Sequence, residues 1–98
     1  MPTSPRPEFS VIITCYFEEK SIDEFHGKLS AALAALNRTS EIIFVNDGSK
    51  DNSLTVIKTL AQQFPQIKYI DFSKNFGHQL AVFAGLEHAS GNAIVIID

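Results

Sequence analysis

Glu41-Ile42-Ile43-Phe44-Val45-Asn46-Asp47-Gly48-Ser49-Lys50-Asp51-Asn52-Ser53 changes character halfway along. Its first half is a nearly continuous apolar, β-branched-rich run, the pattern of a strand covered on both faces. Its second half is a cluster of turn and cap formers, and beyond it Leu54, Ile57, Ala61 and Phe64 recur on one helical face. An Asp-Gly pair between two strands is a hairpin turn, but here a helix follows and no second strand. A buried strand that delivers a carboxylate to a loop ahead of a helix is how α/β proteins build ligand sites. Asp47 is therefore the first candidate site residue, against the plainer alternative of a turn residue preceding a helix.

The same alternation runs through the rest of the chain. Phe9 to Cys15 is mostly apolar and β-branched, a strand covered on both faces. Ser21 stands as an N-cap with Glu24 three residues on, the spacing of a capping box. Ile22, Phe25, Leu29, Ala32 or Leu33, and Leu36 then predict a helix ending near Asn37. The second helix runs from about residue 51 to 64, with Ser49 and Asp51 as caps and Pro65 as its stop. Residues 66–72 read as a third strand in which Ile67, Tyr69 and Asp71 alternate against Lys68, Ile70 and Phe72. After the loop Ser73-Lys74-Asn75-Phe76-Gly77, a helix over 78–88 is apolar almost all round, through Leu80, Val82, Phe83, Ala84 and Leu86. Such a helix is expected to be buried on more than one side. A turn at 90–92 leads to the fourth strand, 93–97.

The order β-α-β-α-β-α-β predicts an α/β, three-layer α/β/α fold with a parallel sheet of order 3-2-1-4 and right-handed crossovers. Residues 1–8 read as a flexible leader and 9–98 as the domain. Growth of the sheet reverses between the first and fourth strands, and ligands sit outside the carboxyl ends of the strands at such a switch point. Thr14, Cys15, Tyr16, Phe17, Glu18 and Asp98 fall there, with Asp47 alongside, so three acids (Glu18, Asp47 and Asp98) converge on one edge.

Composition narrows the partners. The 98 residues are 45% hydrophobic and 19% charged, ordinary for one globular domain. A formal net charge of −3 and the absence of a basic run argue against nucleic acid. Cys15 is the single cysteine, which forbids an intrachain disulfide and fits a reducing, cytoplasmic setting. No apolar run approaches the roughly 20 residues of a membrane span, and Met1-Pro-Thr-Ser-Pro-Arg-Pro7 lacks the apolar core of a signal peptide. His26, His78 and His88 lack metal-ligand spacing; His78, in a first helical turn, reads as a packing or polar contact. The abrupt stop after Ile94-Val-Ile-Ile-Asp98 reads as a piece of something longer.

No Gly-x-Gly-x-x-Gly follows the first strand, and no Gly-x-x-x-x-Gly-Lys-Ser/Thr occurs, so neither a dinucleotide fingerprint nor a P-loop is present. A carboxylate-lined crevice repels a bare diphosphate, but it suits the other end of a nucleotide. Aspartate accepts hydrogen bonds from the imide or amide N–H of uracil or guanine and from ribose hydroxyls. The phosphates then need a divalent cation held mostly by oxygen ligands. A nucleotide-sugar site meets both conditions.

Val11-Ile-Ile-Thr-Cys-Tyr-Phe-Glu-Glu19 and Val45-Asn-Asp-Gly-Ser-Lys-Asp-Asn-Ser53 resemble the Val-Ile-Ile-Pro-Val-Tyr-Asn-Glu-Glu and Val-Asp-Asp-Gly-Ser-Thr-Asp segments of the family 2 glycosyltransferases. Ser73-Lys74-Asn75-Phe76-Gly77, Ala84-Gly85-Leu86 and Ala89-Ser90-Gly91 are similar to that family's Ser-Arg-Asn-x-Gly, Ala-Gly-Leu and Ala-x-Gly, and Asp98 falls where its Asp-x-Asp begins. The likeness runs in order from Val11 to Asp98 and is nearest to the branch that acts on polyprenyl or dolichyl phosphate.

The resemblance implies the nucleotide-binding half of a GT-A fold and inverting transfer of sugar from a UDP- or GDP-linked donor to a lipid phosphate or glycan. It implies Mg²⁺ or Mn²⁺ as cofactor, and for the whole enzyme a place at the cytoplasmic face of a membrane. Thr14, Tyr16, Glu18, Asp47 and Asp98 then form the nucleotide-binding set. Asp47 binds the base, Tyr16 packs near it, Glu18 contacts the nucleoside, and Asp98 contacts the ribose or helps place the metal. Lys74 is a candidate phosphate contact. The departures are Thr14 for proline, Phe17 for asparagine and Asn46 for the first aspartate of the pair.

The second Asp of Asp-x-Asp and the acceptor half with its general base fall outside the 98 residues. Inverting transfer needs that base or an anionic acceptor, and a metal for the leaving diphosphate. The chain alone is therefore expected to be inactive, with no catalytic residue of its own. The competing reading is a non-catalytic doubly wound signalling domain of the phospho-receiver kind, but its acidic pair and its aspartate after the third strand are misplaced here. The apolar fourth strand, as an uncovered edge, predicts self-association.

Overall fold

The computed structural model describes residues 6–16 and 20–97. It contains β1 (Phe9–Cys15), α1 (Ile22–Leu36), β2 (Ser40–Asn46), α2 (Ser53–Gln63), β3 (Ile67–Asp71), α3 (His78–His88) and β4 (Ala93–Ile97). The four strands form one parallel sheet in the order β3-β2-β1-β4, as the alternation of elements predicts. Cys15 pairs with Asn46 and Asn46 with Asp71, so three strand ends are level at the carboxyl edge.

The two-residue period of the strands divides the core into two layers. Val11, Ile13, Cys15, Ile42, Phe44 and Ile67 meet Ile22 of α1 and Ile57 and Leu60 of α2 on one face. Ile12, Ile43 and Val45 meet Ala81 of α3 on the other. β2, central and apolar on both sides, is buried from Glu41 to Asn46.

Three local expectations change. The Ser21 side chain makes no capping hydrogen bond, its backbone being already αR; Glu24 instead pairs with Lys28 one turn on, at 3.2 Å in solvent. Asp51 does serve the start of α2, its Oδ1 accepting the Ser53 N–H at 3.0 Å, but Leu60 replaces Leu54 in the fully buried stripe. The third change is the largest. α3 buries only Ala81 and Gly85, and leaves Leu80, Phe83 and Leu86 exposed. A sheet offers a helix one face, and α3 meets it through its small residues: a Cβ on Gly85 would lie 2.5 Å from Ile12 Cγ2. Ile94, Val95 and Ile96 of the edge strand β4 are also exposed.

A polar clasp closes the far, amino end of the sheet. Glu41 Oε2 accepts the Ser10 hydroxyl at 2.5 Å, the Ser90 N–H at 2.6 Å and the Ser90 hydroxyl at 2.9 Å. Its Oε1 pairs with Lys68 Nζ at 2.8 Å, and the Gly91 N–H donates to Ser10 Oγ at 2.7 Å. Burial pushes the Glu41 carboxyl up, but the hydrogen bonds from Lys68, Ser10 and Ser90 outweigh it and hold it at about 2. The clasp ties the α3–β4 turn to three strands and so sets β4 against β1.

Candidate functional site

Asp47 lies one residue past β2. Its N–H donates to the Cys15 carbonyl at 2.8 Å, extending the β1–β2 pairing one step beyond the strands. Gly48 then turns the chain at φ 76°, a left-handed conformation that favours glycine. A Cβ there would stand 2.3 Å from the Lys74–Asn75 backbone, so only glycine lets the two loops touch.

That contact fixes the Asp47 carboxylate, which is 5% exposed. Oδ1 accepts the Phe76 N–H at 2.8 Å, and Oδ2 accepts the Gly77 N–H and the Asn75 side-chain amide, both at 3.1 Å. The Asn75 amide also reaches the Asp47 carbonyl at 3.1 Å. Gly77, the N-cap of α3, has no capping side chain of its own, and Asp47 supplies that function from a distant strand. A negative charge suits the positive end of the helix dipole. Two carboxylate oxygens offer about four acceptor positions; the described residues take three, and among them Oδ1 has capacity for one more donor.

Around this carboxylate is a pocket of about 380 Å³, within the usual range for small-ligand sites. Thr14, Cys15 and Tyr16 line it from the end of β1, Asp47 from β2, and Asn75, Gly77 and His78 from the start of α3. It opens at the carboxyl edge of the sheet, between the ends of β1 and β2 and the start of α3. Thr14 Oγ1 and His78 Nδ1 lie 3.2 Å apart across it, and Tyr16 is half exposed. A wider groove of about 570 Å³, at the opposite edge, includes the exposed Arg38–Glu8 ion pair. Its one lining acid, Glu8, is partly exposed and paired with Arg38, whereas Asp47 is buried, so the smaller pocket is the better site.

Of the residues singled out from sequence, the structure brings Thr14, Tyr16 and Asp47 together. Glu18 and Asp98 lie outside the described residues. Lys74 does not line the pocket; its ammonium stands 5.2 Å from the centre of the Phe76 ring. Among the described residues no group of three or more His, Cys, Asp or Glu side chains gathers to hold a metal ion. Asn46 donates to Asp71 Oδ1 at 3.0 Å while its own buried Oδ1 has no partner. An aspartate at position 46 would set two carboxylates against each other there.

Sequence reasoning passed over Asn75 and His78 as site residues. The first reaches the pocket by clamping Asp47 and the second by meeting Thr14, which is 64 positions away in sequence. No spacing rule relates residues that far apart; only the sheet order does.

The model of a family described as glycosyl transferase family 2 matches residues 10–98. The chain is 43% identical over 91 residues to the uncharacterized glycosyltransferase YkcC of Bacillus subtilis, covering 93% of this chain and 28% of that protein. It is 37% identical over 91 residues to the bactoprenol glucosyl transferase of Shigella phage SfV, covering 93% of this chain and 30% of the phage protein. Among solved structures it is similar to the mannosyltransferase PcManGT of Pyrobaculum calidifontis, in complex with GDP-Man and Mn²⁺. That match has a TM-score of 0.69 at 20% identity and covers 88% of this chain and 25% of the other. The likeness is one of fold, that of the GT-A glycosyltransferases. The chain thus spans less than a third of the length of the relatives it matches.

Proposed function

The chain belongs to glycosyl transferase family 2, and on that premise we propose that it is the donor-nucleotide-binding part of an inverting glycosyltransferase. The whole enzyme would move a sugar from a UDP- or GDP-linked donor to a polyprenyl or other lipid phosphate, or to a glycan, at the cytoplasmic face of a membrane. The observation that carries this reading is the pocket at the carboxyl edge of the sheet with a buried, pre-positioned carboxylate in its wall. The bactoprenol-acting relative supports the lipid-phosphate acceptor.

In this reading Asp47 takes the base N–H on the remaining acceptor position of Oδ1, without releasing Phe76 or Gly77. Tyr16 packs against the base, Thr14 borders it, Glu18 contacts the nucleoside and Asp98 contacts the ribose. Lys74 would have to leave the Phe76 ring to meet a phosphate. A divalent cation, Mg²⁺ or Mn²⁺, belongs to the proposal for the whole enzyme, where it would neutralise the leaving diphosphate. The described residues do not form its site, and Asp98 would act on it only indirectly. The 98 residues bind without catalysing.

Calorimetric titration of the folded chain with UDP, GDP and their sugars, with and without Mg²⁺ or Mn²⁺, tests the reading. Saturable binding by a uridine or guanosine nucleotide, weakened by Asp47→Ala, is expected. A folded chain that binds none of them would sink it.

We further propose that the isolated chain self-associates through β4, whose Ile94, Val95 and Ile96 face solvent. A single monomeric species by sedimentation at high concentration would refute this.

A further inference from the structure

Asn75 lines the pocket beside Asp47 and commits only one end of its side-chain amide to it. We propose that the other end, Asn75 Oδ1, is a ligand contact: it accepts a donor hydrogen of the bound nucleoside next to the one that Asp47 takes. That hydrogen belongs to a ribose hydroxyl or, in guanine, to the exocyclic amine. The proposal rests on the donor-nucleotide reading of the pocket and adds to it a second acceptor.

Three observations carry it. The first is the direction of the amide. Nδ2 lies 3.1 Å from Asp47 Oδ2 and 3.1 Å from the Asp47 carbonyl oxygen. A carboxylate and a carbonyl only accept, so both Nδ2 hydrogens are committed and the NH₂ end must face Asp47. Turning the amide over would set Oδ1 against two oxygens. Oδ1 is the end left over, and among the described residues it has no hydrogen-bond partner.

The second is rigidity. The Lys74–Asn75 backbone lies against Gly48, where a Cβ would collide with it. The next two N–H groups, of Phe76 and Gly77, are both held by the Asp47 carboxylate. Asn75 is thus fixed through its backbone as well as its side chain, although it is exposed. A ligand that meets Oδ1 finds it already ordered, which lowers the entropic cost of the contact.

The third is the balance of donors and acceptors. The Phe76 and Gly77 N–H groups and the Asn75 amide hydrogens are all spent on Asp47. What the Asp47 and Asn75 side chains offer a ligand is therefore two acceptors, Asp47 Oδ1 and Asn75 Oδ1. An ionised phosphate has no hydrogen for either, and the carboxylate repels it. A nucleoside has several, on its base and on its ribose. This wall suits the nucleoside end of the ligand, and Asn75 takes a hydrogen that Asp47 does not.

The test pairs a change in the protein with a change in the ligand, by calorimetric titration of the 98-residue chain. The ligands are UDP, GDP, their 2′-deoxy and 3′-deoxy forms, and inosine diphosphate, which is GDP without the exocyclic amine. In the unaltered chain one of these deletions is expected to weaken binding about tenfold relative to its parent. In Asn75→Ala the parent is expected to bind about tenfold more weakly or worse, and that same deletion to have no further effect. The deletion whose effect disappears names the hydrogen: ribose for a deoxy form, base for inosine diphosphate. If Asn75 only steadies Asp47, parent and deleted ligand weaken alike and the deletion keeps its effect in Asn75→Ala. That result overturns the contact, as does an unaltered chain indifferent to every deletion, and in both cases the donor-site reading stands. Asn75→Ser, whose hydroxyl can still donate to Asp47 but which holds no acceptor at the Oδ1 position, decides the same outcomes if Asn75→Ala does not fold. If the unaltered folded chain binds neither UDP nor GDP, the donor-site reading itself fails and this contact with it.

Discussion

Glu41 at the start of β2 and Asp47 just past its end are both buried acids that hold backbone N–H groups beside α3. Glu41 takes the Ser90 N–H beyond the carboxyl end of the helix, and Asp47 takes those of Phe76 and Gly77 ahead of its amino end. α3 buries only the small residues Ala81 and Gly85, so these two acids add anchoring that a wider apolar stripe would otherwise provide. The surroundings then separate them. Both Glu41 oxygens are committed to Ser10, Lys68 and Ser90. Asp47 borders the pocket and, among the described residues, keeps one acceptor position. The same chemistry is structural where it is saturated, and available to a ligand where it is not.

The comparison breaks most sharply at Glu41. Glu41→Ala leaves the Ser10 and Ser90 hydroxyls and the Ser90 N–H without their acceptor, and is expected to destabilise the fold by about 3 kcal/mol. A lower urea midpoint with unchanged nucleotide affinity in the folded fraction is the expected pair of results. Weakened affinity would show that the far clasp reaches the pocket. Asp47→Ala is the mirror experiment. It is expected to cost about 2 kcal/mol, since Phe76 is exposed and water can reach part of what is lost, and to remove nucleotide binding as well. Stability and binding must therefore be measured on the same sample. Full stability with lost binding would mean that Asp47 serves the ligand alone.

The two acids also show what sequence could and could not reveal. Asp47 was legible because strand, turn and helix signals meet around it, and the sheet order followed from the alternation of elements. Its clamp on Asn75, Phe76 and Gly77 was not, because it joins loops 28 to 30 positions apart. Glu41 read as the polar first residue of a strand, since Ser10, Lys68 and Ser90 come to it from three other places in the chain. The all-round apolar pattern of α3 suggested a helix covered on several sides. The structure buries the row containing Ala81 and Gly85, because close approach to Ile12 selects small residues over large ones. Periodicity weighs side chains by hydrophobicity, and here contact was decided by size.

Acid titration sharpens the contrast at intermediate cost. The folded-state pKa of Glu41 is about 2, against 4.5 for the free group. A carboxyl depressed on folding stabilises the native state above its unfolded pKa, and that stability is lost as pH falls from 4.5 toward 2. The contribution is on the order of 2 kcal/mol once the half-exposed Lys68 is discounted for solvent screening. Glu41→Gln is expected to be less stable than the unaltered chain at pH 7 and nearly equal to it at pH 2. A constant gap between the two urea midpoints across that range would remove the ionised carboxylate as the source of the clasp.

The smallest effect belongs to His26, a buried group remote from both acids. It lies in α1 with its ring 4.7 Å from that of Phe64, and its Nε2 is 3.0 Å from Ser30 Oγ. Burial lowers its pKa below 6.5, and Asp23 partly opposes the shift. A histidine depressed on folding is neutral in the native state, so its contribution is complete above pH 6.5 and is lost as pH falls below that value, when the unfolded chain takes up the proton first. The stability of the unaltered chain should therefore decline between pH 7.5 and 5.5, and the part of that decline due to His26 should vanish in His26→Gln. Because His78 and His88 are common to both proteins, the difference between them isolates His26. Parallel pH profiles would mean that the α1–α2 contact tolerates a charged imidazole, and that the acid sensitivity of this fold begins only at Glu41.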